Sequence, residues 1–429
     1  MTLSLAIIAF AFAVRFQNAG AALSGNESFT ILGRSLNITY DDLPLVGILY
    51  LVTCLWISAT FFYFPNEFFP VFCVIYTALS IASLSIDPFL YSVLILFLAN
   101  IIYLPVLSLS KFTQIKGRMR FLVFQMLSVF LILLAGWILA GGEIAPVEED
   151  QLFLSSILLG VGIALWLGVF PFHTWIPLLA EEVSFFPFGF LMTLLPVSGI
   201  IMLLKFLNNF AWLREYAAIY PALQYLGAIM IFIGGIGAFF QKSITRMSAY
   251  TFIFGIGLLL CSVGFIPLAS TDLVSTWLIP IILAFWAISV AYQEMIGYEK
   301  GQTIEFLKGK FYEKPLHSIL FLAGFCTLIG IPFSSGYPSV ILLFTTARKL
   351  NSLLLFFIIS GEIFVVLATI RLLLRLTFHS EQKLVIPDKI NIDQIMLILV
   401  ILLNIVLGLF PSVFYEPFIT SISKIFPLI

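Results

Sequence analysis

Apolar runs of about 17 to 25 residues, the length that carries a helix across a bilayer, follow one another along the whole chain, with short polar segments between them. Residues 43–63, 68–86, 88–108, 121–140, 153–172, 185–206, 222–240, 247–266, 277–293, 317–333, 353–376 and 395–415 are such runs. A shorter one at 2–14 lacks the basic start of a secretory signal and reads as a first membrane helix. The pattern therefore predicts an all-α fold, a polytopic transmembrane helix bundle of about 13 spans with discontinuous helices. Residues 15–42 are polar, with a β-like stretch at Phe29 to Tyr40 (FTILGRSLNITY) before Pro44 opens the next span. The loops are too short to fold alone, so one integral domain is expected over 1–429. Within it, 1–42 form an N-terminal helix and extracytoplasmic loop, 43–416 the core and 417–429 a tail.

Composition agrees. Of 429 residues, 61% are hydrophobic and 10% charged, far from the balance of a water-soluble domain. A net charge of -1 gives no reason to expect a nucleic-acid partner. The four cysteines, Cys54, Cys73, Cys261 and Cys326, lie inside apolar runs without ligand spacing and read as small core hydrophobes. Three basic loops carry Lys111, Lys116, Arg118 and Arg120; Lys242 and Arg246; and Lys300, Lys308, Lys310 and Lys314. Counting spans puts all three on one side, which the positive-inside tendency makes cytoplasmic. The acidic loop from Glu143 to Asp150 falls opposite. The N-terminus is then cytoplasmic, and the expected location is a bacterial inner (plasma) membrane.

The segment from Phe170 to Phe206 departs from this monotony. It passes through a polar, proline-bearing knot of Pro171, His173, Trp175, Pro177, Glu181 and Glu182, then enters an apolar run containing Pro187, Pro196 and Gly199. These last three predict an interrupted helix. Backbone groups freed at membrane depth are tolerated only against protein or a watery cavity, and such breaks often adjoin an ion or substrate path. Glu181 and Glu182 read as capping residues at a helix start.

The order Pro171, x, His173, x, Trp175, Ile176, Pro177, followed by Glu182 and a glycine-bearing helix that ends in Lys205, resembles the antiporter-like subunits of NADH-quinone oxidoreductase (complex I). Those subunits are related to Mrp antiporters and to energy-converting hydrogenase membrane subunits. QKSITRMSAYTFIFGIG from Gln241 and AGFCTLIGIPFSSG from Ala323 match two more of the family's motifs. The resemblance extends from about Ile38 to Pro411 in helix order. It implies a short hairpin before Asp41 and Asp42 and a relay of intramembrane charges for protons. At the aligned positions the charge is gone: Asn100, five before Pro105; Val197, at the lysine of the broken helix; Thr245, before Arg246; and Val340, four after Gly336. A charge at mid-bilayer costs about 2.5–3.5 kcal/mol on insertion scales, so such replacements run downhill.

Remaining candidates for a polar axis or broken helix are His173, Glu182, Pro196, Lys205, Arg246 and Glu362. His173 could titrate near neutral pH or serve as a hydrogen-bonded structural residue. Lys205 stands near a span end, where its amine could reach the interface or join a relay. Glu362 has no charge within a turn; it is a polar-axis or partner contact, a residue at a span edge, or a neighbour of Arg371 or Arg375. No nucleotide loop, CxxC or paired-histidine motif occurs, so no catalytic site, metal or cofactor is expected in this chain.

The resemblance implies a membrane-arm subunit of a complex I-like or hydrogenase-like assembly, with sister membrane subunits, peripheral redox subunits and the lipid bilayer as partners. Its role is then structural or coupling more than pumping. The alternative is a proton/cation antiporter or transporter subunit, for example in inorganic-carbon uptake.

Overall fold

The computed structural model describes residues 2–8, 29–31, 34–36, 42–87, 89–108, 115–140, 149–297, 303–378 and 391–426. Its long helices are α1 (Leu43–Tyr63), α2 (Phe68–Ser85), α3 (Ser92–Ser108), α4 (Lys116–Ala140) and α5 (Glu149–Leu167). The short α6 (Trp175–Glu182) precedes α7 (Phe185–Asn209), α8 (Ile219–Phe240), α9 (Ile244–Gly264) and α10 (Asp272–Ile296). Then come α11 (Pro315–Ile329), α12 (Tyr337–Ala347), α13 (Ser352–Leu376), α14 (Ile392–Leu409) and α15 (Pro411–Ile425). Among the described residues, eleven helices are long and apolar enough to cross a membrane, and α11 and α12 are shorter apolar ones. Residues 2–8 are helical; the rest of the expected first span lies outside the described residues.

The β-like stretch forms a small hairpin, as expected. Strand β1 (Phe29–Ile31) pairs antiparallel with β2 (Arg34–Leu36), Phe29 facing Leu36, and β2 pairs with β3 (Ile86–Asp87). The sheet fastens the N-terminal segment to the end of α2.

Burial sorts the helices. The apolar windows of α7, α9 and α10 are each 94% buried, against 28% for α4 and α14. Three enclosed helices thus form a core, and the others present a side to their surroundings. Lipid tails give little hydrophobic drive to helix association, so shape must hold the bundle together. Aromatic rings fill the space around α7: Trp56, Phe69, Tyr76 and Tyr103 all lie against Phe190, and Phe185 stacks on Tyr292 at 4.1 Å. Between α8 and α9 the backbones nearly touch. A Cβ on Gly234 would come within 2.5 Å of the Phe254 amide nitrogen, and one on Gly227 within 2.4 Å of that of Cys261.

The interruptions lie elsewhere than expected. The run with Pro187, Pro196 and Gly199 is one continuous helix, α7. Pro187 falls in its first turn, where a missing N–H costs no helical bond. Pro196 is interior, within a helix so enclosed that neighbours hold it in place. Gly199 serves packing: a Cβ there would press on Leu167 and Trp166 at 2.7 and 3.0 Å. The true breaks separate α5 from α6, where Gly168 takes φ +65°, and α11 from α12, where Gly330 takes φ +68°. Only glycine adopts that conformation freely.

Substituting Gly234 with valine should force α8 and α9 apart and destabilise the fold by about 1–3 kcal/mol. A lowered unfolding temperature of the detergent-solubilised protein would register it; an unchanged one would mean that the two helices can separate without loss.

Candidate functional site

The break after α5 leaves backbone groups to be satisfied in the bilayer. Leu167 would pair with residue 171, a proline without an N–H. The Phe170 N–H turns away to the Met230 sulfur at 3.3 Å, freeing the Trp166 carbonyl. That carbonyl accepts from Gln125 Nε2 at 3.1 Å. Gln125 Oε1 in turn accepts from Asn100 Nδ2 at 3.2 Å, and Asn100 Oδ1 accepts from the Tyr76 hydroxyl at 2.9 Å. A chain of uncharged hydrogen bonds therefore runs from α2 through α3 and α4 to the broken end of α5, with Asn100 and Gln125 fully buried.

The second break is stitched from the C-terminal helices. Asn404 of α14 accepts from the Ser335 N–H at 2.8 Å and donates to Thr327 Oγ1 at 2.5 Å. The Tyr415 hydroxyl of α15 donates to the Ser335 carbonyl at 2.9 Å, and Ser339 Oγ donates to that of Thr276 at 2.8 Å.

The predicted site residues do not converge on one place. Among the positions read as replaced charges, Asn100 belongs to the hydrogen-bond chain, and the Thr245 hydroxyl is hydrogen-bonded to that of Tyr292 at 2.5 Å. Val340 packs where a Cβ on Gly330 would go. Val197 is buried in α7, so it does not occupy a broken helix. Pro196 likewise marks no break.

His173 lies in the short turn between α5 and α6, nine-tenths buried, with its ring 5.9 Å from that of Phe170 and its Nδ1 without a partner. Glu181 and Glu182 stand at the end of α6, not at a helix start. Neither caps its own helix; both reach to neighbours. Glu181 takes a two-pronged bond from Arg246 at 2.6 and 2.8 Å, and Glu182 accepts the Arg118 N–H at 3.1 Å in the first turn of α4. There the carboxylate meets the positive end of the α4 dipole. The neighbouring basic segments join this brace: Ser243 bridges Thr303, Lys314 pairs with Glu294 at 2.6 Å, and Arg375 with Glu305 at 2.9 Å. The described parts of the three basic loops therefore share one end of the bundle.

Lys205 occupies the opposite end. It pairs with Asp42 at 3.6 Å and donates to the Leu84 carbonyl, with 15% and 10% of the two side chains exposed. Glu362 is at mid-helix in α13, 6% exposed, and neither carboxyl oxygen has a hydrogen-bond partner. Its own arginines are engaged elsewhere: Arg371 donates to the Phe239 and Gln241 carbonyls, and Arg375 holds Glu305.

The sequence pattern does not single out Gln125, Tyr76, Asn404 or Tyr415. Gln125 and Asn404 carried the signal that singled out Glu362, a polar residue inside an apolar run, but without a charge. Among the described residues no group of three His, Cys, Asp or Glu side chains could hold a metal.

Interrupted crossings stitched by buried polar side chains around three enclosed helices define an integral membrane protein of the antiporter-like type. The chain belongs to the NADH:quinone oxidoreductase/Mrp antiporter transmembrane family, whose model matches residues 73–366. NADH-quinone oxidoreductase subunit N of Bacillus anthracis is 25% identical over 295 residues, 65% of this chain and 57% of that protein. The putative antiporter subunit mnhD2 of Staphylococcus aureus (strain JH9) is 29% identical over 136 residues, 30% of this chain and 26% of that protein. The matches therefore span little more than half the length of the first relative and about a quarter of the second. A chain of the membrane-bound sulfane sulfur reductase, an archaeal respiratory membrane complex, superposes with TM-score 0.82 at 15% identity, covering 99% of this chain and 90% of that one. One of the Mrp complex from Dietzia sp. DQ12-45-1b gives 0.76 at 14%, covering 99% and 92%. One of respiratory complex I from Thermus thermophilus gives 0.69 at 17%, covering 96% and 98%. At these identities the likeness establishes the fold.

Replacing Asn404 with leucine should strand the Ser335 N–H at the second break and cost about 1–3 kcal/mol, read as reduced thermal stability in detergent. For Glu181 and Arg246, with 29% and 43% of their side chains exposed, a double-mutant cycle with glutamine at each site should give a coupling of up to about 1 kcal/mol. Zero coupling would remove the pair from the brace.

Proposed function

We propose that this chain is a membrane-arm subunit of a multi-subunit, complex I-like or hydrogenase-like assembly, and that it scaffolds or couples its neighbours more than it pumps protons. The observation that carries this is the uncharged chain Tyr76–Asn100–Gln125 at the broken end of α5. A proton relay needs side chains that store a proton near neutral pH, and amides and phenols do not. Thr245 with Tyr292 has the same character. The named ion pairs cluster at the two ends of the bundle, and Glu362 stands alone.

The solved structures of similar fold are membrane complexes of several subunits, which supports sister membrane subunits as partners. Exposed apolar side chains along α4, among them Val123, Met126, Phe130 and Trp137, supply a surface for lipid or a neighbouring subunit. Flavin, iron–sulfur and nucleotide chemistry would belong to peripheral redox subunits. The end that carries Lys116, Lys242 and Lys314 faces the cytoplasm of a bacterial cell, as the positive-inside tendency directs.

Purified alone in proteoliposomes under an imposed pH gradient, the chain should pass protons no faster than protein-free vesicles. In mild detergent it should co-purify with membrane and iron–sulfur subunits. Proton flux by the isolated chain, or its purification as a lone homodimer, would overturn the proposal in favour of an autonomous transporter.

A further inference from the structure

Glu362 carries an inference that does not depend on whether the rest of the bundle conducts. It is the eleventh residue of a 25-residue apolar helix, so it sits at mid-membrane. It is 94% buried by protein, and both oxygens lack a partner. The preceding residue marks a close backbone contact of α13 with α8. A Cβ on Gly361 would fall 2.6 Å from the Ile231 carbonyl oxygen, and one on Gly235 would fall 2.3 Å from the Gly361 carbonyl oxygen. Backbones this close leave no layer of water between them. Phenylalanine rings flank the contact, with Phe232 against both Phe357 and Phe364.

The ionisable side chains of the elements packed against α13 lie toward the helix ends or face other places. On α8 these are Tyr220 and Tyr225, in its first two turns. On α11 they are His317, beside Tyr63, and Cys326, which lines a cavity with Asn404. Tyr337 begins α12, and Glu305 is bound to Arg375. None supplies a positive charge to Glu362.

We infer that Glu362 is a proton-binding site that holds α13 packed within the bundle. The carboxylate takes up one proton to become a neutral carboxylic acid, and in that form the side chain fits its buried, unpartnered place next to the close backbone contact. Loss of the proton leaves a buried charge with no cationic partner among the described residues, a state a protein relieves by letting water in. Because only the neutral form suits the closed packing, proton release and loosening of α13 from its neighbours are one linked event. The linkage fixes the sign: packing is held at lower pH and loosens as pH rises.

The test uses the full chain in lipid nanodiscs, with any co-purifying subunits retained. In the infrared difference between wild type and Glu362→Gln at neutral pH, the missing band should be the carbonyl stretch of a protonated acid. Amide hydrogen exchange along α13, corrected for its intrinsic pH dependence, should rise by about a hundredfold in the wild type under alkaline conditions, the factor matching the cost of a mid-bilayer charge. Glu362→Gln, neutral at every pH, should stay protected; Glu362→Met should do the same if the amide variant fails to assemble. A carboxylate band for Glu362 at neutral pH, or equal exchange in wild type and variants as pH rises, would overturn the inference.

Discussion

Inside a bilayer no water answers an open backbone N–H or carbonyl, so a helix that breaks there must find its partners in the protein. This requirement shapes the present bundle more than any other. Among the described residues two crossings are interrupted, and each is answered by polar side chains from distant parts of the chain. Gln125 comes from α4 to the Trp166 carbonyl; Asn404 and Tyr415 come from α14 and α15 to Ser335. Remove those residues and the breaks become sites of unmet hydrogen bonding, each costing what a buried orphan group costs. The breaks and the helices that answer them are therefore one structure.

The rest of the polar inventory follows the same economy. Asn100 and Thr245 lie deep and are neutral and hydrogen-bonded, while the named ion pairs gather at the ends of the bundle. Glu362 departs from this as a buried carboxyl without a partner, and its isolation is what gives it interest.

Much of this was legible in advance. Apolar run lengths identified the crossings, the β-like stretch after residue 28 became the hairpin, and three motifs in order identified the family. The breaks lie at positions other than the prolines and glycine that suggest them. Pro187, Pro196 and Gly199 look like breakers, yet a first-turn proline costs nothing and an enclosed helix tolerates an interior one. The real interruption needs Gly168 at positive φ together with the Met230 sulfur, which is sixty residues away in sequence. Glu181 and Glu182 read as helix-start residues because nothing in the sequence marks α6 as a separate eight-residue helix that ends with them. Pairings such as Asn404 with Ser335 depend on which helices become neighbours, and spacing along one chain does not encode that.

The short helix α6 has a mechanical consequence. Its last two residues grip different long helices, Glu181 the start of α9 through Arg246 and Glu182 the start of α4 through Arg118. A shift of this small segment must drag both neighbours or sever its grip on one of them. It works as a linchpin: whatever pushes on the interrupted crossing is felt at once on two sides of the molecule.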